Sequence, residues 1–334
     1  MLPKPGQSSC KEIQRLRIAQ VSPLTEPVPP KLYSGTERVI SWLTEELVAL
    51  RHDVALFASG DSVTSARLEP MWPRALRLDG ARSQRSSYDD GGTSLPTCEG
   101  FRPVAVPPRL LSVFRDVTAG RAVCDDAARA SDLPEHKPVF STFSSIPLVS
   151  ISNAQRRPVP NAKWIGTVYH GLPENLLKAE PTIPSYLAFL GRISPEKPVD
   201  RAVRIAERCG LPLKIAAKVD AADQDYFVET ILPLLSKPHV VGEITDAQKS
   251  EFLSGAVALI VPIDWPEPFG LVMIEAMACG TWFRPEVIED GLTGFVVEDE
   301  TSAVGAIRQL SRLSRTVIRK RFEEQFTARR MAEQ

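Results

Sequence analysis

Residues 264–275 read DWPEPFGLVMIE: a glutamate stands on each side of a Pro-Phe-Gly corner, Glu267 before it and Glu275 after it. Pro266, Pro268 and Gly270 argue against a continuous helix through the corner, because a proline lacks an N–H and restricts the residue before it. Glu267 is therefore expected on a loop. From Leu271 onward, LVMIEAMA has the composition of a helix, and it follows AVALIVPI (256–263), an apolar run of strand length. Strand, loop, helix is the order that makes a ligand crevice in an open α/β sheet, at the carboxyl ends of the strands and beside a helix start that favours anions. Two carboxylates in such a crevice can accept hydrogen bonds from hydroxyls at two places on one ligand, as in holding a sugar or a ribose. The spacing alone fits an ordinary turn with a solvated glutamate at least as well.

Upstream of this stretch, from residue 182, the alternation is regular. The strands YLAFLG, LKIAAK, HVVG and AVALIVPI are separated by the helices DRAVRIAERCG, QDYFVETILPLL and TDAQKSEFLS. Such alternation predicts a parallel sheet covered on both faces. Near the start, LRIAQV (16–21), TERVISWLTEELVAL (36–50) and DVALFA (53–58) form one βαβ unit, and IPLVSIS (146–152) and KWIGTV (163–168) read as further strands. Residues 61–108, rich in Gly, Ser, Arg and Pro, read as loop or disorder, and 109–130 as one helix interrupted at Gly120. The first domain therefore reads as incomplete. The expected organisation is a leader over 1–15, a first domain over 16–175 with an irregular stretch at 61–145, a second domain over 182–305 and a helical segment over 306–334.

With 334 residues, 43% of them hydrophobic, the chain has material for about two domains with substantial cores. A net charge of −1 argues against a nucleic-acid protein held by bulk electrostatics. The five cysteines (Cys10, Cys98, Cys124, Cys209, Cys279) are scattered and contain no C-x-x-C pair, so neither a disulfide framework nor a metal site is expected. No apolar run approaches the length of a membrane span, and the first residues lack the apolar core of a signal peptide. A cytoplasmic protein is expected, with peripheral contact to a membrane left open.

Two further features point to the same crevice. LGRISPEKPVD (190–200) places Arg192 and Lys197 just beyond a strand and ahead of a helix, where two cations suit a diphosphate and equally fit solvated loop charges. The turn Ser34-Gly35 before the first helix lets backbone N–H groups approach a phosphate or sugar, or simply gives the helix a flexible entry. A cation pair, a helix start and two flanking carboxylates together describe a nucleotide diphosphate sugar better than any one of them does.

The combination FLGRISPEK, GEITDAQKSEFL, WPEPFGLVMIEAMACGT and PEVIEDGLTGFVV resembles the retaining glycosyltransferases of family 4, glycosyl transferase group 1, which have the GT-B fold. The segments beginning VPPKLYSGTERVISWL and VSISNAQRRPVPNAKW resemble the acceptor-side domain of that family. The resemblance implies two Rossmann-like domains whose parallel sheets face each other across a cleft. It implies that Glu267 contacts donor-sugar hydroxyls, that Glu275 holds the ribose, and that the backbone at Phe269, Gly270 and Leu271 touches the sugar. Leu271 and Val272 would lie near the phosphates, Arg192 and Lys197 would neutralise the leaving diphosphate, and Gly35 would face the donor from the acceptor side. It further implies transfer of a hexose from a UDP- or GDP-sugar, without metal or other cofactor, to a small-molecule, glycan or lipid-linked acceptor.

The chain also departs from the family pattern. The family carries a histidine after an acceptor-side strand, and none of His52, His136, His170 or His239 stands in that context, so no base is assigned. Ser34 replaces a first glycine, and only WFR separates ACGT from PEVI where relatives have an apolar strand. The chain ends at RRMAEQ, where relatives continue into a helix that packs back across the first domain. The alternative function is a relative that binds nucleotide sugar without turnover.

Overall fold

The computed structural model describes residues 15–31, 34–77, 102–105, 123–124, 137–142, 144–235, 239–263, 267–281 and 289–334. The first domain is a seven-stranded sheet in the order β3-β2-β1-β4-β5-β6-β7. Its strands are β1 (Arg17–Val21), β2 (Asp53–Ser59), β3 (Arg67–Trp72), β4 (Arg102–Ala105), β5 (Val123–Cys124), β6 (Leu148–Ser150) and β7 (Trp164–Thr167). Every pairing between them is parallel. Helix α1 (Gly35–Ala49) covers one face by burying Val39, Ile40, Leu43 and Leu47, which recur at helical spacing. The shorter helices α2 (Lys137–Thr142) and α3 (Asn153–Arg156) flank β6.

The first domain is therefore more complete than the sequence suggests, because β3, β4 and β5 all lie inside the stretch 61–145 that reads as irregular. The pattern hides them for physical reasons. β3 alternates between exposed and half-buried positions without a buried face, β4 contains a proline, and β5 is two residues long. The interrupted helix expected at 109–130 lies outside the described residues except at Val123–Cys124, which is strand. The leader lies outside them too, up to residue 14.

The second domain follows the expected alternation. β8 (Tyr186–Ile193), α4 (Val199–Cys209), β9 (Leu213–Val219), α5 (Gln224–Tyr226) with its helical continuation to Leu234, β10 (His239–Val240), α6 (Asp246–Ser254), β11 (Ala256–Leu259) and α7 (Leu271–Ala278) come in turn. The sheet order is β10-β9-β8-β11, again all parallel. β8 is almost wholly buried, as a strand covered on both faces must be. α4 ends at Gly210 with φ 66°, the left-handed conformation that glycine adopts without strain. Helices α8 (Glu300–Ile307) and α9 (Arg315–Gln325) pack against α4 and α7 respectively.

The chain crosses between domains twice. The second crossing ends in α10 (Ala328–Glu333), which packs on α1: Ala328 and Met331 share a cluster with Val39, Leu43 and Leu47. A helix packed back across the first domain is thus present, contrary to expectation, and the 306–334 segment divides between the two domains. The crossings are bonded to each other: Leu172 N–H donates to Phe326 O at 2.9 Å, and Ala328 N–H donates to Leu172 O at 2.7 Å. A Cβ added to Gly171 would lie 2.2 Å from the carbonyl oxygen of Thr327. Replacing Gly171 by alanine is expected to force the crossings apart at a cost of about 1–3 kcal/mol. A lower thermal midpoint for G171A checks this, and an unchanged midpoint contradicts the close approach.

Candidate active site

Strand order places the site. In the second sheet the chain moves outward from β8 through β9 to β10 and then returns to β11 on the other side of β8. The loops after β8 and β11 therefore diverge, opening a crevice at their carboxyl ends. Lys197 lies on the first loop and Glu267 on the second, with Lys197 Nζ 3.2 Å from Glu267 Oε2. The turn holding Lys197 is closed by its own N–H, which donates to Ser194 O at 2.9 Å. Both side chains are largely buried, at 19% and 11% exposure. The contact is an ion pair without hydrogen-bond alignment, so the buried Glu267 Oε2 has no donor aligned on it, and neither has Ser194 Oγ nearby.

The Pro-Phe-Gly corner turns as the sequence requires. Gly270 has φ 80°, and a Cβ there would meet Met273 Cε at 2.5 Å and Glu267 Cγ at 3.3 Å. Only glycine combines that backbone with that space. Phe269, 3% exposed, packs edge-on to His170 with centroids 5.0 Å apart, and against Tyr169 at 5.9 Å. Leu271 and Val272 open α7, and Gly35, the first residue of α1, faces them: its Cβ would stand 3.4 Å from Leu271 Cδ1. Two helix starts, one per domain, thus meet at the cleft.

Glu275, 4% exposed, lies in the second turn of α7. Lys249 of α6 reaches its Oε1 at 2.6 Å. Lys249 also contacts Asp246 Oδ1 at 3.2 Å, and Asp246 pairs with Arg38 of α1 across the cleft. Burial lowers the affinity of Lys249 for its proton, but Glu275 and Asp246 outweigh this and hold its pKa above the usual lysine value. For Asp246, burial raises the pKa, and Lys249 and Arg38 reverse that and hold it below the usual range.

Arg192 lies at the end of β8 among carboxylates: Asp220 at 3.5 Å, Glu196 at 3.6 Å and Asp223 at 3.7 Å. Burial raises the Asp220 carboxyl, but Lys218 and Arg192 hold it below its ordinary value. A small cleft at the ends of β8 and β9, lined by Gly191, Ala217, Lys218, Glu243 and Ile244, reaches Lys249. Burial pushes the Cys279 thiol up to about 12, so it is not a nucleophile at neutral pH. Among the described residues no group of His, Cys, Asp and Glu is arranged to hold a metal ion.

Glu267, Phe269, Gly270, Leu271, Val272 and Glu275 thus follow one another along the corner and α7, where Lys197 meets Glu267 and Gly35 meets Leu271, with Arg192 on its own acidic cluster at the same sheet edge. Lys249, Asp246 and Arg38 were missed. The signal for Lys249 is its place on the apolar face of α6 with Phe252 and Leu253, all three buried, because a lysine there requires a carboxylate partner.

Residues 177–327, a little under half of the chain, match the family described as Glycosyl transferases group 1. That part of the chain is similar to the members of that family. Alpha-maltose-1-phosphate synthase of Mycobacterium tuberculosis is 30% identical over 133 residues, which cover 35% of this chain and 34% of the relative. The chain thus aligns with about a third of the length of the curated relatives it matches. Sucrose-phosphate synthase of Thermosynechococcus elongatus superposes with a TM-score of 0.74 at 16% identity, covering 96% of this chain and 97% of that one. Anabaena HepE in complex with UDP and glucose superposes at 0.70 with 15% identity, covering 96% and 98%. These likenesses show the GT-B fold over nearly the whole chain.

The depressed Asp246 carboxyl sets a pH expectation. A carboxyl whose folded pKa lies below its unfolded value stabilises the fold above the unfolded value, near 3.8, and loses that contribution as pH falls through the folded one. The stability advantage of the wild type over D246N is expected at pH 6 and should shrink as the pH approaches 3. Denaturant titrations at both pH values test this, and an advantage that does not depend on pH refutes it.

Proposed function

We propose that the chain transfers a hexose from a nucleotide diphosphate sugar to an acceptor hydroxyl, with retention of configuration and without a metal. The observation that carries this reading is the pair of carboxylates around the corner at the switch point: Glu267 beside Lys197 with a buried oxygen lacking an aligned donor, and Glu275 farther along α7. Glu267 then accepts hydrogen bonds from the sugar, and Glu275 accepts them from the ribose. The start of α7 at Leu271 and Val272 faces the phosphates, while Lys197 and Arg192 supply charge for the leaving diphosphate. Gly35 brings the acceptor domain against the same helix start.

In the proposed reaction the acceptor oxygen attacks the anomeric carbon on the face the diphosphate leaves. The bond from carbon to the phosphate oxygen breaks, and that phosphate oxygen takes the acceptor's proton. The donor is a UDP- or GDP-sugar, and UDP-glucose is the first to try because HepE was solved with UDP and glucose. The acceptor is a small molecule, a glycan or a lipid-linked sugar, met in the cytoplasm or at a membrane surface.

A second reading, binding without turnover, is favoured by the histidines. His52 accepts the Leu16 N–H at its Nδ1, and His170 is buried against Phe269, so neither serves as an acceptor-side group at the sugar. His136 and the side chain of His239 lie outside the described residues.

Nucleotide release from UDP-glucose and GDP-sugars separates the two readings. The wild type is expected to release nucleotide, and E267A to do so at least about a hundredfold more slowly while still binding the free nucleotide. A nucleotide at about 100 times its dissociation constant should stabilise either protein by roughly 2.7 kcal/mol. Stabilisation without release by the wild type would establish the second reading. Equal release by wild type and E267A would remove the first.

A further inference from the structure

Lys249 is a lysine where an apolar residue is expected. Its side chain is 7% exposed, on the face of α6 that also buries Phe252 and Leu253. It is the middle of a line of alternating charges: Arg38 of the first domain, Asp246, Lys249, then Glu275. A buried ion pair contributes little to stability, since apolar residues of similar volume usually do as well or better. What the pair supplies that apolar residues do not is a carboxylate kept ionised and oriented beneath the cleft. Lys249 also lines the small cleft at the ends of β8 and β9.

We infer that Lys249 is a positioning residue for the nucleotide: it holds Oε1 of Glu275 and leaves Oε2 for the ribose hydroxyls, while Asp246 of the same helix fixes Lys249 and is itself paired with Arg38 of the opposite domain. This rests on the reading of Glu275 as the ribose ligand. The ribose subsite is then completed by a residue of the other domain and forms fully only when α1 and α6 are in contact. It also gives the partly buried Arg38–Asp246 pair a role beyond joining two surfaces.

Calorimetric binding of UDP, GDP and ADP, each beside its 2′,3′-dideoxy counterpart, tests this on wild type, K249M and R38Q, with thermal unfolding as a check on folding. The wild type should bind one nucleotide more tightly than its dideoxy form. K249M should bind that nucleotide about tenfold or more weakly, the scale of a lost hydrogen bond to a charged group, yet bind the dideoxy form within about twofold of wild type. R38Q should show the same ribose-dependent loss at about threefold, a partial loss of that bond. Equal weakening of both forms in K249M means that Lys249 merely supports the fold, and overturns the inference while leaving the donor site intact. No weakening of either form also overturns it. Should K249M not fold, R38Q decides: a loss confined to the ribose form supports the positioning role, and unchanged affinities refute it. A wild type that binds no nucleotide, or ignores the ribose hydroxyls, overturns the reading of Glu275 and the inference with it.

Discussion

Phe269 ties the chemistry of the cleft to the architecture of the whole chain. Its ring is buried among Tyr169 and His170 from the first crossing and Phe326 from the second, with centroids 5.0 to 6.4 Å away. A side chain in the middle of the Pro-Phe-Gly corner is thereby packed into the joint between the domains. Glu267 and Gly270 flank it in sequence, so the position of that joint sets where the first carboxylate stands. Interiors of this density do not deform continuously, and a shift of the domains has to be felt at the corner.

The same helix is secured at its far end. Arg319 of α9 donates to Ala278 O at the end of α7 at 2.7 Å and to Leu177 O of the first crossing at 2.8 Å. A cation at a helix C-terminus is favoured by the dipole, and this one also binds the linker. Ile318 and Phe322 on the same helix are completely buried in the second-domain core. α7 is therefore positioned at its start by both crossings, through Phe269, and at its end by Arg319, which also holds the first crossing, and its N-terminus lies where the two domains meet at Gly35 and Leu271.

Much of this was legible from residue patterns, and the exceptions have a common cause. β8, β9 and α4 announce themselves because each buries a continuous or periodic set of apolar residues. The corner was legible because Pro268 and Gly270 leave few backbone options. β3, β4 and β5 were not, since a half-exposed strand, a proline-containing one and a two-residue one carry no periodic signal. The acidic surroundings of Arg192 were hidden by distance, Asp220 being 28 positions away on the loop after β9. Sequence places the cation at the right sheet edge. It does not reveal which charges share it.

The edge of the second sheet follows the same logic of support from outside the local pattern. Among the described residues β11 is an outer strand, with only β8 paired to it. Its first carbonyl, at Ala256, accepts from the guanidinium of Arg315, which also donates to Ser254 O at 3.0 Å. Thr281 Oγ1 donates to Leu253 O at 2.6 Å. Polar backbone that would be costly to leave unpaired is thus met by side chains of α9 and of the turn after α7. The helices that anchor the C-terminal crossing also stabilise the strand that leads into the corner, so the site and the joint between domains rest on one set of contacts.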